Sequence, residues 1–405
     1  MKKSRSWKYA ELRPALAIIA LLGCCSAGAE EPAPTDTSAT TAPAKNWQIH
    51  GFASQGFIHT DENNFYGESS DGGSFDYYEV GVNGLWQFND RFSVSGQILA
   101  REAGETDDGK LRLDYGFFDY RFINMDAARA GMRIGRVKNP LGFYNETRDV
   151  LFTRPSILLP QSIYLEGTGI RELLFSSDGI QFYSDWDHDQ HHTAFKMNIA
   201  RDTEASDQTR KNFTSGSLPP GVMLDNLDIN DLFFMQVLDE IDGGRIRLAL
   251  SYLTGTVDAT FVPAFIPPAA IDAEFITLSG QYNQERWSLT SEYSLTSTEI
   301  DFFGMADKSR SEGIYLQGQY RLTPEWTGLL RYDLSYGDRN DRGDSDARDV
   351  TAGLSWTPKP SWIVMGEYHY IHGSNGDAGI PRVDNEGSQI QPRTRLFAMM
   401  VGYRF

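Results

Sequence analysis

Tyr78-Glu79-Val80-Gly81-Val82-Asn83-Gly84-Leu85-Trp86-Gln87-Phe88-Asn89-Asp90-Arg91-Phe92-Ser93-Val94-Ser95-Gly96-Gln97-Ile98-Leu99-Ala100-Arg101 is the stretch that decides the fold. Its first half puts Tyr78, Val80, Val82, Gly84, Trp86 and Phe88 on one face and Glu79, Gly81, Asn83 and Gln87 on the other. Its second half sets Phe92, Val94, Gly96, Ile98 and Ala100 against Ser93, Ser95, Gln97 and Arg101. A side-chain period of two is that of a β-strand with one apolar and one wet face. Asn89-Asp90 between the halves is a hairpin turn.

The pattern continues to the last residue. Ile246, Leu248, Leu250 and Tyr252 oppose Arg245, Arg247 and Ser251; Trp326, Gly328, Leu330, Tyr332, Leu334 and Tyr336 oppose Thr327, Arg331, Asp333 and Ser335. Val350, Ala352, Leu354 and Trp356 oppose Asp349, Thr351, Ser355 and Thr357; Trp362, Val364, Gly366, Tyr368 and Tyr370 oppose Glu367 and His369. Trp and Tyr gather at strand ends, as a girdle at a lipid–water interface requires. Connections alternate short and long: Asn89-Asp90, Asn124 to Ala128, Asp187 to His191, Asp242 to Gly244, Asn283 to Arg286, Thr323 to Glu325 and Lys359 to Ser361 are tight, and open loops separate them. Short turns on one side and long loops on the other predict a transmembrane antiparallel β-barrel of about 16 strands, both termini on the short-turn, periplasmic side.

The amino terminus supports export. Lys2, Lys3, Arg5, Lys8 and Arg13 precede an apolar run from Ala15 to Leu22, and Ala27-Gly28-Ala29 is a small-residue cleavage site, so residues 1–29 read as a secretory signal. Leu21-Leu22-Gly23-Cys24 offers the competing reading of a lipoprotein site acylated on Cys24. Residues 30–45, rich in Pro, Ala and Thr, read as a disordered periplasmic leader, and 46–405 as the barrel. Cleavage removes both cysteines, which excludes disulfides and thiol chemistry. It also removes five cations and one anion, taking the formal charge from −18 to −22. A surface this acidic argues against nucleic acid as a partner.

Phe397, Met399, Val401 and Tyr403 alternate up to a terminal Phe405. This ending resembles the C-terminal assembly signal of bacterial outer-membrane barrels, which implies the barrel assembly machinery as a partner and the Gram-negative outer membrane, with its lipid and lipopolysaccharide, as the location. Gly135 to Tyr164 is the longest insertion and follows the fifth strand. Pro140, Pro155, Pro160, Gly135 and Gly142 break regular structure there, while Phe143, Tyr144, Phe152, Ile157, Leu158 and Leu159 need cover. The expectation is a loop folded into the barrel, its apolar residues on the wall and its cations facing water. Gly135-Arg136-Val137-Lys138-Asn139-Pro140-Leu141-Gly142 resembles the strand-to-loop junction of the phosphate- and pyrophosphate-selective porin family. Resemblance to sixteen-stranded porins implies that this third outer loop forms the constriction and that the assembly is a homotrimer.

On this reading Arg136, Lys138, Arg148 and Arg154 form the constriction, and the pore wall carries Arg101, Arg133, Arg245, Arg247, Arg321 and Arg331, balanced by Glu79, Glu292, Asp333 and Glu367. Fixed cations in a narrow passage raise the local anion concentration, so passive diffusion of small hydrophilic solutes with an anion preference is the expected function. A structural or adhesin barrel is the alternative. Asp187, His188, Asp189, His191 and His192 have ligand chemistry, but a periplasmic turn is polar anyway, and no metal is assigned. Asp338, Asn340, Gly343 and Asp349 echo a calcium loop in which Arg342 occupies a ligand position. Glu367 and His369 complete no hydrolase motif, so neither a catalytic site nor a cofactor is expected.

Overall fold

The structure is a computed structural model describing residues 46–405 except 167–170, 215–217, 219–220, 303, 344–345, 374–383 and 385–389. The expected signal (1–29) and leader (30–45) lie outside the described residues. The strands are β1 (Trp47–Thr60), β2 (Tyr77–Gln87), β3 (Phe92–Ala103), β4 (Asp108–Met125), β5 (Ala128–Lys138), β6 (Ser176–His188), β7 (His191–Ala200), β8 (Thr203–Glu204), β9 (Met223–Ile241), β10 (Ile246–Val262), β11 (Ala269–Asn283), β12 (Trp287–Phe302), β13 (Met305–Arg321), β14 (Trp326–Tyr336), β15 (Asp346–Lys359), β16 (Trp362–His372) and β17 (Arg393–Arg404). Among the described residues two short α-helices, α1 (Arg171–Phe175) and α2 (Asp207–Thr214), and a 3-10 turn at Leu151–Thr153 lie in the long loops.

Each long strand pairs antiparallel with its sequence neighbour, β7 pairs with β9, and β1 pairs with β17 from Phe52↔Arg404 to Thr60↔Leu396. The two-residue β8 adds only to the edge of β9, so the closed barrel has 16 long strands. Closure satisfies the ladder without leaving an edge. The last bond pair is exchanged between Gly51 and Phe405, N–H to carbonyl at 3.1 and 3.0 Å.

Face assignments follow the alternation. Val80, Val82, Trp86, Val94 and Ile98 are exposed on the outside, whereas Glu79, Ser93, Gln97 and Arg101 are buried within. The outer apolar surface ends at the short-turn side in aromatic contacts: Phe92 on Tyr120 with centroids 4.8 Å apart, Trp326 on Trp356 at 5.5 Å and Trp362 on Tyr403 at 4.9 Å. A water-exposed apolar belt of this extent is stable only in lipid, where it lowers rather than raises the free energy. The long-loop side differs from the sequence reading. β9 to β13 run to as many as 19 residues, beyond the 10 to 14 suggested by the alternation, because Val257 to Val262 and Ala269 to Ile271 stay paired above the apolar belt.

Candidate functional site

The insertion after β5 occupies the barrel interior. It starts later and ends later than the proline pattern indicated: Gly135 to Lys138 remain paired with Gly179 to Ser176, and the loop runs from 139 to 175. Gly135 has φ +133, and a Cβ there would run into the carbonyl oxygen of Gly116, so only glycine lets β5 bend at this point. Asn139 N–H donates to the Phe175 carbonyl at 3.0 Å and closes the loop's neck; the other backbone bonds within the loop are local turns, such as Thr147 N–H to Tyr144 O at 3.1 Å and Tyr164 N–H to Pro160 O at 2.9 Å. Side chains of the loop itself, such as Tyr164 OH accepting from Phe143 and Tyr144 N–H at 2.8 and 3.0 Å, and side chains of the wall supply the rest.

Gly142 N–H donates to Ser251 Oγ at 3.1 Å, and Gln236 Nε2 donates to the Gly142 carbonyl at 2.8 Å. Phe143 N–H donates to Glu292 Oε1 at 3.0 Å. Glu292 also accepts from Ser279 Oγ at 2.5 Å, Tyr164 OH at 2.6 Å and Tyr315 OH at 2.7 Å. Ile157 and Leu158 N–H both donate to Glu367, at 2.6 and 3.3 Å, and Ser162 N–H donates to Asp333 at 3.3 Å. Arg331 completes the seat by donating to Ser156 Oγ and the Leu158 carbonyl, each at 3.0 Å. Apolar contacts follow the same path: Ile157 and Leu158 pack with Tyr77, Met365 and Met400, and Tyr144, Leu159, Ile163 and Tyr164 pack with Tyr315. The loop thus touches strands on all sides of the barrel.

The loop's root is held by ions. Arg154 bonds Glu79 at 2.7 Å; Arg101 lies 2.9 Å from Glu166, 3.3 Å from Asp107 and 3.7 Å from Glu79. Arg148 meets Glu166 at 2.5 Å, and Arg171 bridges Glu166 at 2.8 Å and Asp149 at 2.5 Å. Lys138 joins Asp149 at 3.6 Å to Asp114 at 2.5 Å. Burial works against the ionised forms of Glu166 and Asp149, but Arg148, Arg171 and Arg101 around the first, and Arg171 and Lys138 beside the second, outweigh it. Both carboxyls therefore titrate well below the usual carboxylate range.

The expected constriction cations are therefore not placed as anticipated. Arg148 and Arg154 are buried, at 2% and 6% exposure, because each packs against a carboxylate under the loop rather than facing water. Lys138 reaches inward onto the ring of Phe175, 3.3 Å from its centroid. Arg136 belongs to the outer face: it shares the parity of exposed Ile134, pairs in register with Asp178 and meets its carboxylate at 3.5 Å. Among the expected wall residues, Arg101 and Arg331 are buried in the loop's seat. Arg133 bonds Asp119 at 3.0 Å, and Arg247 bonds Glu240 at 2.6 Å while covering Phe143. Arg245 lies in the exposed turn before β10 beside Asp242, and Arg321 lies at the exposed end of β13, so neither lines the interior.

Other motifs dissolve into ordinary contacts. His191 pairs with Asp239 and His192 with Asp187, at 2.8 and 3.0 Å, and no cluster of three metal-ligating side chains occurs among the described residues. Asp349 of the calcium-like pattern is instead inside the barrel, 2.8 Å from His369. Sequence reasoning missed the function of Glu79, Glu292, Asp333 and Glu367, read as solvated balancing charges, and missed Asp107, Asp114, Asp149, Glu166 and Arg171 altogether. The available signal was a row of inward carboxylates in a barrel whose longest insertion carries cations.

No protein-family model matches the sequence, and no curated protein matches it. Solved structures do share the fold. The anion-selective porin from Comamonas acidovorans is similar with a TM-score of 0.56 at 11% identity, over 89% of this chain and 99% of that one. The outer membrane channel DcaP of Acinetobacter baumannii gives 0.54 at 11% identity, over 89% and 97%. OmpT of Vibrio cholerae, in its trimer form, gives 0.53 at 13% identity, over 89% and 99%.

Proposed function

We propose that this chain is an outer-membrane porin of a Gram-negative bacterium, a passive channel for small hydrophilic solutes. The observation that carries the reading is a closed barrel of 16 long strands, apolar outside and polar within, whose third long loop enters the interior. A barrel of this strand number is wide enough for an aqueous passage, and a smaller enzyme-type barrel is not. The likeness in fold to porins and channels supports the same reading. Seated in lipid, the barrel would contact lipopolysaccharide at its long-loop rim and would require the barrel assembly machinery, with Phe397, Met399, Val401, Tyr403 and Phe405 as its assembly signal. A homotrimer is proposed by analogy with the trimer form of the Vibrio cholerae protein.

Anion preference is proposed to be slight. At the loop's root Arg101, Arg112, Lys138, Arg148, Arg154 and Arg171 face Glu79, Asp107, Asp114, Asp149 and Glu166, which leaves little uncompensated charge to repel cations. The structural or adhesin reading draws on the same packed loop, which fills space that a channel needs. Deleting residues 143–163 separates the two. A channel gives large stepwise currents in a planar bilayer once the loop is gone; silence from such a protein, shown folded by heat-modifiable mobility, supports the rival.

A further inference from the structure

At the height of the loop the lumen has no accessible wall. Inner residues there are buried on every long strand, from Ser54, Glu79 and Arg101 round to Thr351, Glu367 and Met400, whereas a wetted passage would leave part of that ring exposed. On the short-turn side the loop presents Glu146, Thr147, Val150 and Thr153, so it meets the vestibule as a floor. Its backbone N–H groups reach the far wall through three carboxylates on alternate strands: Glu292 on β12, Asp333 on β14 and Glu367 on β16. No backbone ladder joins this far side of the loop to the wall among the described residues. A bond from an N–H to an ionised carboxylate is roughly twice as strong as one to a neutral group, so removing the charge weakens each attachment without disturbing the barrel.

We propose that residues 143–163 of the loop are a gate, shut in this conformation, and that Glu292, Asp333 and Glu367 are positioning residues forming its latch, released on protonation. The proposal rests on the channel reading above and adds its regulation. The groups facing the latch are few. Glu292 faces Tyr144, Tyr164 and Tyr315 and no cation among its bonded partners; Asp333 lies in register with Asp349 and two residues from Arg331. Glu367 faces His369 at 3.2 Å, whose other ring nitrogen meets Asp349 at 2.8 Å. The root ion pairs lie on the opposite side and would act as the hinge that keeps the loop attached.

The test is planar-bilayer recording of the full purified chain near neutral pH and at about pH 4. The wild type should pass about tenfold more current at the lower pH, read as a shift in the open population. The variant Glu292→Ala/Asp333→Ala/Glu367→Ala should conduct at neutral pH as the wild type does in acid, and should lose the pH dependence. A lock controls for general acid effects. A Cβ on Gly402 would lie 2.9 Å from Leu151 Cδ2, so the Leu151 side chain faces β17 here and Leu151→Cys with Gly402→Cys is the pair to cross-link, its oxidation checked by thiol titration. Oxidised, this variant should stay shut in acid, and reduction should restore opening. Equal wild-type currents at both pH values, an unaltered latch variant, or an oxidised lock that still opens would overturn the gate. Currents from the loop-deleted barrel would then preserve the channel reading, whereas silence there would remove both.

Discussion

Replacing Arg154 by Met removes a guanidinium that donates to Glu79 Oε1 at 2.7 Å, to the Arg148 carbonyl at 2.5 Å and to Tyr77 OH at 3.2 Å. Methionine fills much of the volume beside Met400 but leaves Glu79, fully buried, with Arg101 at 3.7 Å and Ser54 Oγ at 3.3 Å as its remaining partners. Breaking a buried pair from one side costs about 3–5 kcal/mol, and the surviving Arg101 contact places this case near the lower end, at about 3 kcal/mol. Adding Glu79→Gln removes the orphaned charge, so the double variant should recover about 2 kcal/mol of that loss, appearing as coupling in a double-mutant cycle. Urea unfolding in phospholipid vesicles, followed by tryptophan fluorescence, measures all four proteins. A single variant that loses less than about 1 kcal/mol, or a double variant no more stable than the single, would refute the claim that this ion pair anchors the loop.

Gly142 has φ +56, and a Cβ there would meet Tyr164 OH and lie 2.6 Å from Glu292 Oε1, so Gly142→Ala should destabilise by about 1–3 kcal/mol in the same titration. Glu166 and Asp149, held below their unfolded values by the arginines and Lys138, contribute stability that is present above about pH 4 and lost as pH falls toward their folded values. Stability against pH should slope downward there, and Arg171→Met should flatten that slope. Tyr144, pushed up to about 12 by burial and then by Glu292, contributes in the opposite sense: its share is present below about pH 10 and lost as pH rises through about 12. Tyr144→Phe should remove that alkaline decline in the urea midpoint. Arg136→Ala, on the outer face, should leave the reversal potential under a salt gradient unchanged.

The barrel was legible because a two-residue period and the alternation of turn lengths are local properties. Val80 and Val82 point to lipid for the same reason that Glu79 and Asn83 do not, and no tertiary knowledge is needed to say so. The loop was legible as an insertion, since Pro140 and Pro155 cannot be strand interior. Its bounds were not, because Gly135 to Lys138 alternate like loop and strand alike, and only pairing with β6 settles them. The site residues fared least well. Whether Arg136 faces lipid or lumen turns on parity from Ile134, and whether Arg148 and Arg154 face water turns on carboxylates distant in sequence: Arg154 and Glu79 are 75 residues apart. Charge pairing across a barrel is a property of the closed ring, and no window along the chain contains it.

The most direct test of the account is single-channel recording of three proteins in one bilayer system under a salt gradient: the wild type, the Glu292→Ala/Asp333→Ala/Glu367→Ala variant and the barrel lacking residues 143–163. A gated porin predicts rare openings from the first near neutral pH, frequent openings from the second and large steady currents from the third, with reversal potentials leaning only slightly toward anions. No current from any of the three, each shown folded by heat-modifiable mobility, would contradict the channel itself.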